Sequence, residues 1–490
     1  MNLKLTYKIY ITIRSIIWIL YGIYVINAFT SIESFDLKVA ILLCGVVIEF
    51  TLMSFLDHWY RFKQPYLLDW FRLATFLSII VNFMFLVETL DKNQSLLVHN
   101  VVMVQNNYAL PSIIVVLAGL ISLKISEVLI IGYKSSKSSV NGTVDAGKDK
   151  IIFKNKNLFF GFTIVLGFVQ FYLLLQGVVG YGREDGHVTG TYSFLLQAIH
   201  ILGPLVLVSY AIIIYKYRFK NKVFTFVFSA YFLLQIGSGF ISGMKEEIIT
   251  PIIIVLIPYL LGGHKIPKRL IIGTVIFVIL LYPINNNYRN ILNGPVQTSK
   301  VTAFLLAINY TWDKGFFDNI KDGSESYQER VSLFPILMYS VENEQYWMDY
   351  KYMNRYLYLP IAWILPRFLI QSKPMADTGK KLYYDTTGGS SSSITPTTYG
   401  WAFFEGGYIP TLISFFLFGL FITIFQSKLS KNNFLHLLLY TSFLVSLLKV
   451  ESDIYFSMTG ILQKLLIGVI FYKIFFKSKQ TLYASNSPAI

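Results

Sequence analysis

The residues with the clearest chemical potential are basic and gathered in the second half of the chain. Arg289 ends the run Tyr282-Pro283-Ile284-Asn285-Asn286-Asn287-Tyr288-Arg289, Arg330 follows Tyr327-Gln328-Glu329, and Arg367 follows Leu365-Pro366, with Lys373 shortly after it. Guanidinium groups grip phosphate oxygens through two parallel hydrogen bonds and do not deprotonate. Such a set suits a diphosphate, and Lys245 in Ser242-Gly243-Met244-Lys245-Glu246-Glu247 adds a further contact. Taken singly, each Arg also fits a bland role as a headgroup anchor at a helix end, and Lys245 one as part of a charged turn.

A Gly/Ser/Thr-rich stretch, Gly388-Gly389-Ser390-Ser391-Ser392-Ser393-Ile394-Thr395-Pro396-Thr397-Thr398, runs into Tyr399-Gly400-Trp401-Ala402-Phe403-Phe404-Glu405-Gly406-Gly407. Its hydroxyls suit sugars or phosphates, though a flexible linker has the same composition. Tyr288, Ser393, Thr395 and Thr397 are the candidates for sugar contacts. Two carboxylates could serve as a base for a hydroxyl acceptor. Glu405 begins an apolar segment, where a charge is costly and a functional candidate by default, with a structural ion pair as the alternative. Asp377 lies among Lys373, Lys380 and Lys381, a wet setting better suited to orienting sugars, so Glu405 is preferred. No P-loop, HExxH or GxSxG motif occurs, and the six His have no ligand spacing. Neither a metal nor a cofactor is expected, and a single Cys, Cys44, excludes a disulfide framework.

The elements that position these residues follow from composition. The chain has 490 residues, 54% apolar, 17% aromatic and 14% charged, against about 25% charged for a soluble domain. The charge cannot cover a soluble surface, which points to an all-α integral membrane protein. A ruler of about 20 apolar residues gives about twelve spans: 9–29, 37–56, 67–89, 109–133, 157–178, 192–215, 223–242, 246–262, 268–284, 402–426, 433–449 and 457–476. The division is therefore 1–284 with nine spans, 285–400 as one large outer loop with short amphipathic or re-entrant helices, and 401–490 with three spans and a tail. Alternate short connections are basic (Arg61 and Lys63; Lys134 to Lys156; Lys216 to Lys222; Lys265 to Arg269; Lys428 and Lys431), whereas the others are neutral or acidic. This positive-inside pattern predicts that both termini are cytoplasmic. It also explains most of the net charge of +15 as topology, which removes the case for nucleic acid. No cleavable signal peptide is expected.

The passage from Arg367 through Lys373-Pro374, Asp377-Thr378-Gly379 and Ser393-Ile394-Thr395-Pro396-Thr397 to Glu405-Gly406-Gly407 resembles the C-terminal half of the Wzy-type O-antigen and capsule repeat-unit polymerases. The Tyr-Arg ending at 288–289 and the Ser-Gly-x-Lys turn at 242–245 are similar to that family as well. The sequence departs from the family's pattern in spreading a Gly-Glu pair out as Gly400 and Glu405, and in the Arg367-to-Gly379 spacing. The resemblance implies a GT-C-like glycosyltransferase of the bacterial cytoplasmic (inner) membrane. It would polymerise undecaprenyl-pyrophosphate-linked oligosaccharides at the outer face, in contact with membrane lipids. A chain-length regulator and a repeat-unit flippase are the protein partners it implies. Three rivals remain: a lipid-linked oligosaccharide transporter or flippase, an O-antigen ligase, and a structural subunit of an export complex. The ligase is weakened because 285–400 contains no His.

The topology is testable. In a Cys44→Ser background, Asp322→Cys and Asp385→Cys are expected to react with an impermeant maleimide in intact cells. Labelling only after permeabilisation would place 285–400 inside and remove the extracytoplasmic site.

Overall fold

A computed structural model describes residues 6–62, 65–93, 95–98, 102–135, 152–175, 191–219, 221–243, 245–262, 283–292, 298–313, 333–344, 394–429 and 433–477, with short pieces at 264, 273, 315, 318, 379 and 382–384. Among these residues nine helices are long and apolar enough to cross a membrane. Many carry large apolar side chains on the outside, such as Ile26, Phe85, Phe168 and Phe226, each about 70% exposed or more. Apolar surface on that scale is stable against lipid tails and not against water. The chain is a multi-pass membrane protein.

The first four crossing helices are α1 (Tyr7–Ser31), α2 (Phe35–Arg61), α3 (Leu67–Asn93) and α4 (Ala109–Ser135). Ser34 caps α2 by accepting from the Leu37 N–H, and Asp91 accepts from the backbone N–H groups of Glu33 and Ser34, which ties the α1–α2 connection to the end of α3. Helix α1 buries little, and Arg14 holds it to Glu49 and Asp57 on α2. Strands β1 (Ser95–Val98) and β2 (Val102–Gln105) pair antiparallel between α3 and α4.

The second group comprises α5 (Lys156–Leu175), α6 (Thr191–Ala211), α7 (Lys222–Ser242) and α8 (Lys245–Leu261). Gly243, at φ +68°, closes α7 in the left-handed conformation that glycine adopts without strain. After the helical stretch 283–292 come α9 (Lys300–Asp313) and α10 (Leu333–Glu342), then α11 (Thr397–Phe404), α12 (Tyr408–Lys428), α13 (Phe434–Leu447) and α14 (Ile454–Phe475). A second strand pair, β3 (Ile152–Phe153) with β4 (Phe476–Lys477), joins the start of α5 to the end of α14.

Polar contacts fix which helix ends lie together. Leu67 N–H donates to Gln426 Oε1 at 2.9 Å and Tyr440 OH donates to Pro65 O at 3.0 Å, so α3, α12 and α13 share the end that carries the basic connections. At the other end Tyr288 OH donates to Ile241 O at 2.6 Å. One core joins α2, α3, α4, α10, α11 and α12, a second joins α5, α6 and α7, and α13 and α14 contribute to both.

The structure redraws several spans. Twelve were expected, and nine are long enough among the described residues. The expected span 246–262 is met by α8, Lys245–Leu261, a helix of the same 17 residues with Pro251 and Pro258 inside it. The expected 402–426 is broken: α11 ends at Phe404, and Gly406 (φ +129°) and Gly407 (φ +84°) make a turn before α12 begins. The expected 433–449 is only the 14-residue α13. The span at 268–284 and the apolar stretch 356–370 lie outside the described residues, apart from 273 and the start of the 283–292 helix.

Helices α7 and α8 approach closely at Gly239, where an added Cβ would stand 2.7 Å from the backbone carbonyl carbon of Glu247. Backbone cannot swing aside as a side chain can. Gly239→Ala is therefore expected to cost about 1–3 kcal/mol, measured as a lowered unfolding midpoint in detergent, while Gly237→Ala, which meets nothing within 4 Å, is expected to cost less.

Candidate functional site: a polar cavity inside the helix bundle

Helix α13 has 14 residues and rises about 21 Å, too short to cross about 30 Å of hydrocarbon. Its C-terminal turn, 448–453, therefore lies within the bundle. Irregular backbone at that depth must have its polar groups met by protein. Thr398 does this at the start of α11. Its N–H donates to Val450 O at 2.6 Å, and its hydroxyl lies 2.8 Å from Val450 O and 2.7 Å from Ser452 O as a shared donor. Asp453 then caps α14 by accepting from the Tyr455 N–H at 2.9 Å.

The space beyond this low turn is a partly open cavity of about 690 Å³ bordered by α5, α6, α7, α8, α13 and α14, with a wall that is apolar over most of its area, as at Leu174, Leu207, Ile254 and Phe456. Its wall carries Lys449, Lys464, Glu247 and His200, with Ser238, Thr250, Ser446, Ser452 and Ser457 supplying hydroxyls. Lys464 Nζ is held 2.5 Å from Ser446 Oγ. On the opposite wall Gln170 and Gln235 exchange amide hydrogen bonds of 3.2 and 2.6 Å. Two ammonium groups against one carboxylate leave the wall net cationic. This arrangement can hold an anionic, hydroxyl-rich ligand and offers one carboxylate as a proton acceptor.

The sequence candidates fall into three groups. Arg289 and the 242–245 turn come together: Arg289 Nε donates to Gly243 O at 2.9 Å, one helical turn from Gly239 and Glu247 of the cavity wall. Tyr288 beside it is buried, and burial pushes its hydroxyl up to about 12, so it stays a donor to Ile241 O. Lys245 starts α8 on that turn. Thr397 and Glu405 sit at the two ends of α11. Thr397, buried, adopts φ +67°, a strained conformation for a β-branched residue, and its hydroxyl accepts from the Gly400 N–H at 3.1 Å. Glu405 is buried at the α11–α12 turn, with Ser414 Oγ 3.4 Å away, and does not line the cavity. Thr395 is half-buried before α11. Arg330, Arg367, Lys373, Asp377 and Ser393 lie outside the described residues.

A second polar cluster sits at the basic end, between α2, α3 and α4. Arg72, wholly buried, pairs with Asp69 and Glu127 at 3.0 Å each, and Lys124 reaches Glu127 at 3.0 Å. His58 lies 2.8 Å from Asp69. The Tyr66 ring lies tilted against the imidazole, its centroid 4.5 Å away, and burial, reinforced by Glu127 and Asp69, pushes its hydroxyl up to about 12. Two atoms, Arg72 Nε and Glu127 Oε1, are buried with no hydrogen-bond partner among the described residues. His58, Asp69 and Glu127 place three potential ligand atoms within 4.8 Å of one another. Arg72 and Lys124 already neutralise those carboxylates, so a divalent cation does not fit. Sequence reading missed both this cluster and the cavity lysines. Their signal was available as ionisable residues inside apolar runs: Asp69, Arg72, Lys124, Glu127 and Lys464.

Fold and cavity together define a multi-pass membrane protein with a cationic, hydroxyl-lined chamber inside its helix bundle. Residues 170–448 match the family described as a domain of unknown function, DUF8712, and the chain belongs to that family. The match begins at Gln170 of the cavity wall, takes in α6 to α13, and leaves out the cluster around Arg72 as well as Lys449 and Lys464 of the cavity. No curated protein matches the chain, and no solved structure does.

Thr398 is the joint between α11 and the cavity floor. Thr398→Val is expected to remove the hydroxyl's contacts with two buried carbonyls and cost about 1–3 kcal/mol, read as a lowered unfolding midpoint. Thr398→Ser is expected to recover most of the loss.

Proposed function

We propose that this protein joins lipid-linked oligosaccharide repeat units, carried on undecaprenyl pyrophosphate, at the outer face of a bacterial cytoplasmic membrane, building an O-antigen or capsular polysaccharide. The observation that carries the reading is the cavity. It sets Lys449 and Lys464 against a single carboxylate, Glu247, among hydroxyls and amides, and reaches toward the turn where Arg289 meets Gly243.

In this reaction the anomeric carbon–oxygen bond to the lipid pyrophosphate breaks and a sugar hydroxyl of the incoming unit forms the new bond. Negative charge grows on the departing pyrophosphate, and fixed cations stabilise it better than mobile water does. Lys449 and Lys464 supply such charges within the cavity. Arg289, at the Gly243 turn, adds a further cation, and Lys245, Arg330, Arg367 and Lys373 are the remaining candidates for pyrophosphate contacts. The acceptor hydroxyl gives up its proton as it attacks. Glu247 is the carboxylate on the cavity wall, and it displaces Glu405 as the first candidate for that base. Glu405 and Asp377 remain the comparison. Gln170, Gln235 and the serines supply hydrogen bonds for sugar hydroxyls.

A transporter of lipid-linked oligosaccharides is the second reading. The ion cluster of His58, Asp69, Arg72, Lys124 and Glu127 favours it, because ionisable groups inside spans mark transport pathways in many carriers.

Reconstituted protein with lipid-linked repeat units separates the two. Ladder formation on gels is expected for the wild type. Glu247→Gln is expected to lose about 10²-fold or more in turnover with donor binding retained, and Lys449→Met and Lys464→Met to weaken donor binding. Glu405→Gln is expected to keep most of the turnover. Flux of the lipid-linked sugar across the bilayer with no ladder would sink the polymerase and support transport.

A further inference from the structure

The cluster at the basic end holds an imidazole whose hydrogen-bonding roles its neighbours fix. Asp69 presents both carboxylate oxygens to His58 Nδ1, at 2.9 and 2.8 Å. An ionised carboxylate only accepts, so Nδ1 carries a hydrogen. Asp69 is itself locked, accepting from the Tyr66 N–H at 2.7 Å and from Arg72 at 3.0 Å. On the far side of the ring, Nε2 faces Glu127 Oε1 at 3.8 Å. Glu127 Oε2 is taken by Arg72 and Lys124, while Oε1 is buried and has no hydrogen-bond partner among the described residues.

We propose that His58 and Glu127 form a proton-binding site, in which a proton taken up on Nε2 turns that nitrogen into a donor to Glu127 Oε1 and closes α2 onto α4. A neutral ring, with its hydrogen on Nδ1, sets a lone pair against an anionic oxygen; a protonated ring sets a hydrogen bond and an ion pair there. Among the charged groups beside the ring, Arg72 and Lys124 balance Asp69 and Glu127, and the Tyr66 ring lies tilted against the imidazole. On the α1 side, Arg14 engages Glu49 and Asp57. The His58 side chain is 12% exposed, one turn from the end of α2 at Arg61, so the proton comes from the basic end.

The site also reaches the cavity. Thr75, one turn beyond Arg72 on α3, lies 3.2 Å from the Tyr399 hydroxyl. Tyr399 follows Thr398, which holds the cavity floor at Val450 and Ser452. Proton uptake at His58 thus biases α3 and, through α11, the floor of the cavity. The inference does not depend on whether the cavity serves polymerisation or transport.

The test uses the full-length protein with ¹⁵N-labelled histidine in lipid nanodiscs, the His58 signals being assigned by their loss in His58→Gln. Between about pH 5 and pH 9 the wild-type ring is expected to pass from hydrogen on both nitrogens to hydrogen on Nδ1 alone. Glu127→Gln is expected to lower its proton affinity about tenfold or more. Amides of 448–453 are expected to show different exchange protection in the wild type and His58→Gln at the acid end, and the same protection at the alkaline end. A wild-type His58 spectrum that does not change over this range overturns the proposal, and it does so even if Glu127→Gln fails to fold. A titration that Glu127→Gln leaves unmoved overturns the pairing. Floor protection identical in the two proteins at every pH overturns the coupling.

Discussion

A turn of backbone inside a membrane bundle has to find hydrogen-bond partners, and most of this architecture follows from how one such turn is satisfied. Helix α13 stops short, so the carbonyls of Val450 and Ser452 face the bundle interior rather than water. Thr398 meets both. To deliver that residue, the chain brings Ile394 to Phe404 into the interior, where every residue of α11 is buried. The cavity exists because α13 is short, and α11 exists where it does because the cavity's floor needs a donor. Strain at Thr397, at φ +67°, is tolerated next to this joint; such strain costs of order 1–3 kcal/mol and persists only where surrounding contacts over-determine the conformation.

Much of the outline was legible from composition alone. Low charge, long apolar runs and the alternation of basic connections lead directly to a multi-pass helical protein. The failures have one cause: hydropathy registers how apolar a window is and not whether its backbone is continuous. Gly406 and Gly407 interrupt an otherwise apolar run, so α11 and α12 read as one span. Ser446, Lys449, Ser452 and Asp453 soften the end of another run, and nothing in a window average distinguishes a surface loop from a turn at depth. Spacing singled out the Tyr288-Arg289 segment after the expected span 268–284 and the 242–245 turn separately, and the structure brings them into contact through Arg289 and Gly243. The pairing of Gln170 with Gln235 is 65 residues long-range and has no local signal.

The two polar regions answer to different physics. Around Arg72 the charges balance, and removing one partner of such a buried pair costs about 3–5 kcal/mol because the other is stranded. That cluster ties α2, α3 and α4 together. The cavity wall, by contrast, keeps an excess of positive charge and open volume, which a purely structural region would be expected to fill with apolar side chains. The family match covers α6 to α13 and excludes the balanced cluster; it also stops before Lys449 and Lys464, so the shared segment supplies Gln170, Gln235 and Glu247 of the chamber while both of its lysines lie beyond the match.

The amide pair of Gln170 and Gln235 has a consequence for what can enter the chamber. Each amide both gives and takes a hydrogen bond, and a sugar hydroxyl does the same. Two neighbouring sugar hydroxyls can therefore slip between the two amides, each donating to one amide oxygen and accepting from the other amide's N–H, and leave neither with an unmatched group, at no change in charge. A hydrocarbon guest would strand both. Parting the pair therefore costs little for a guest that can donate and accept at once, and costs both hydrogen bonds for one that can do neither.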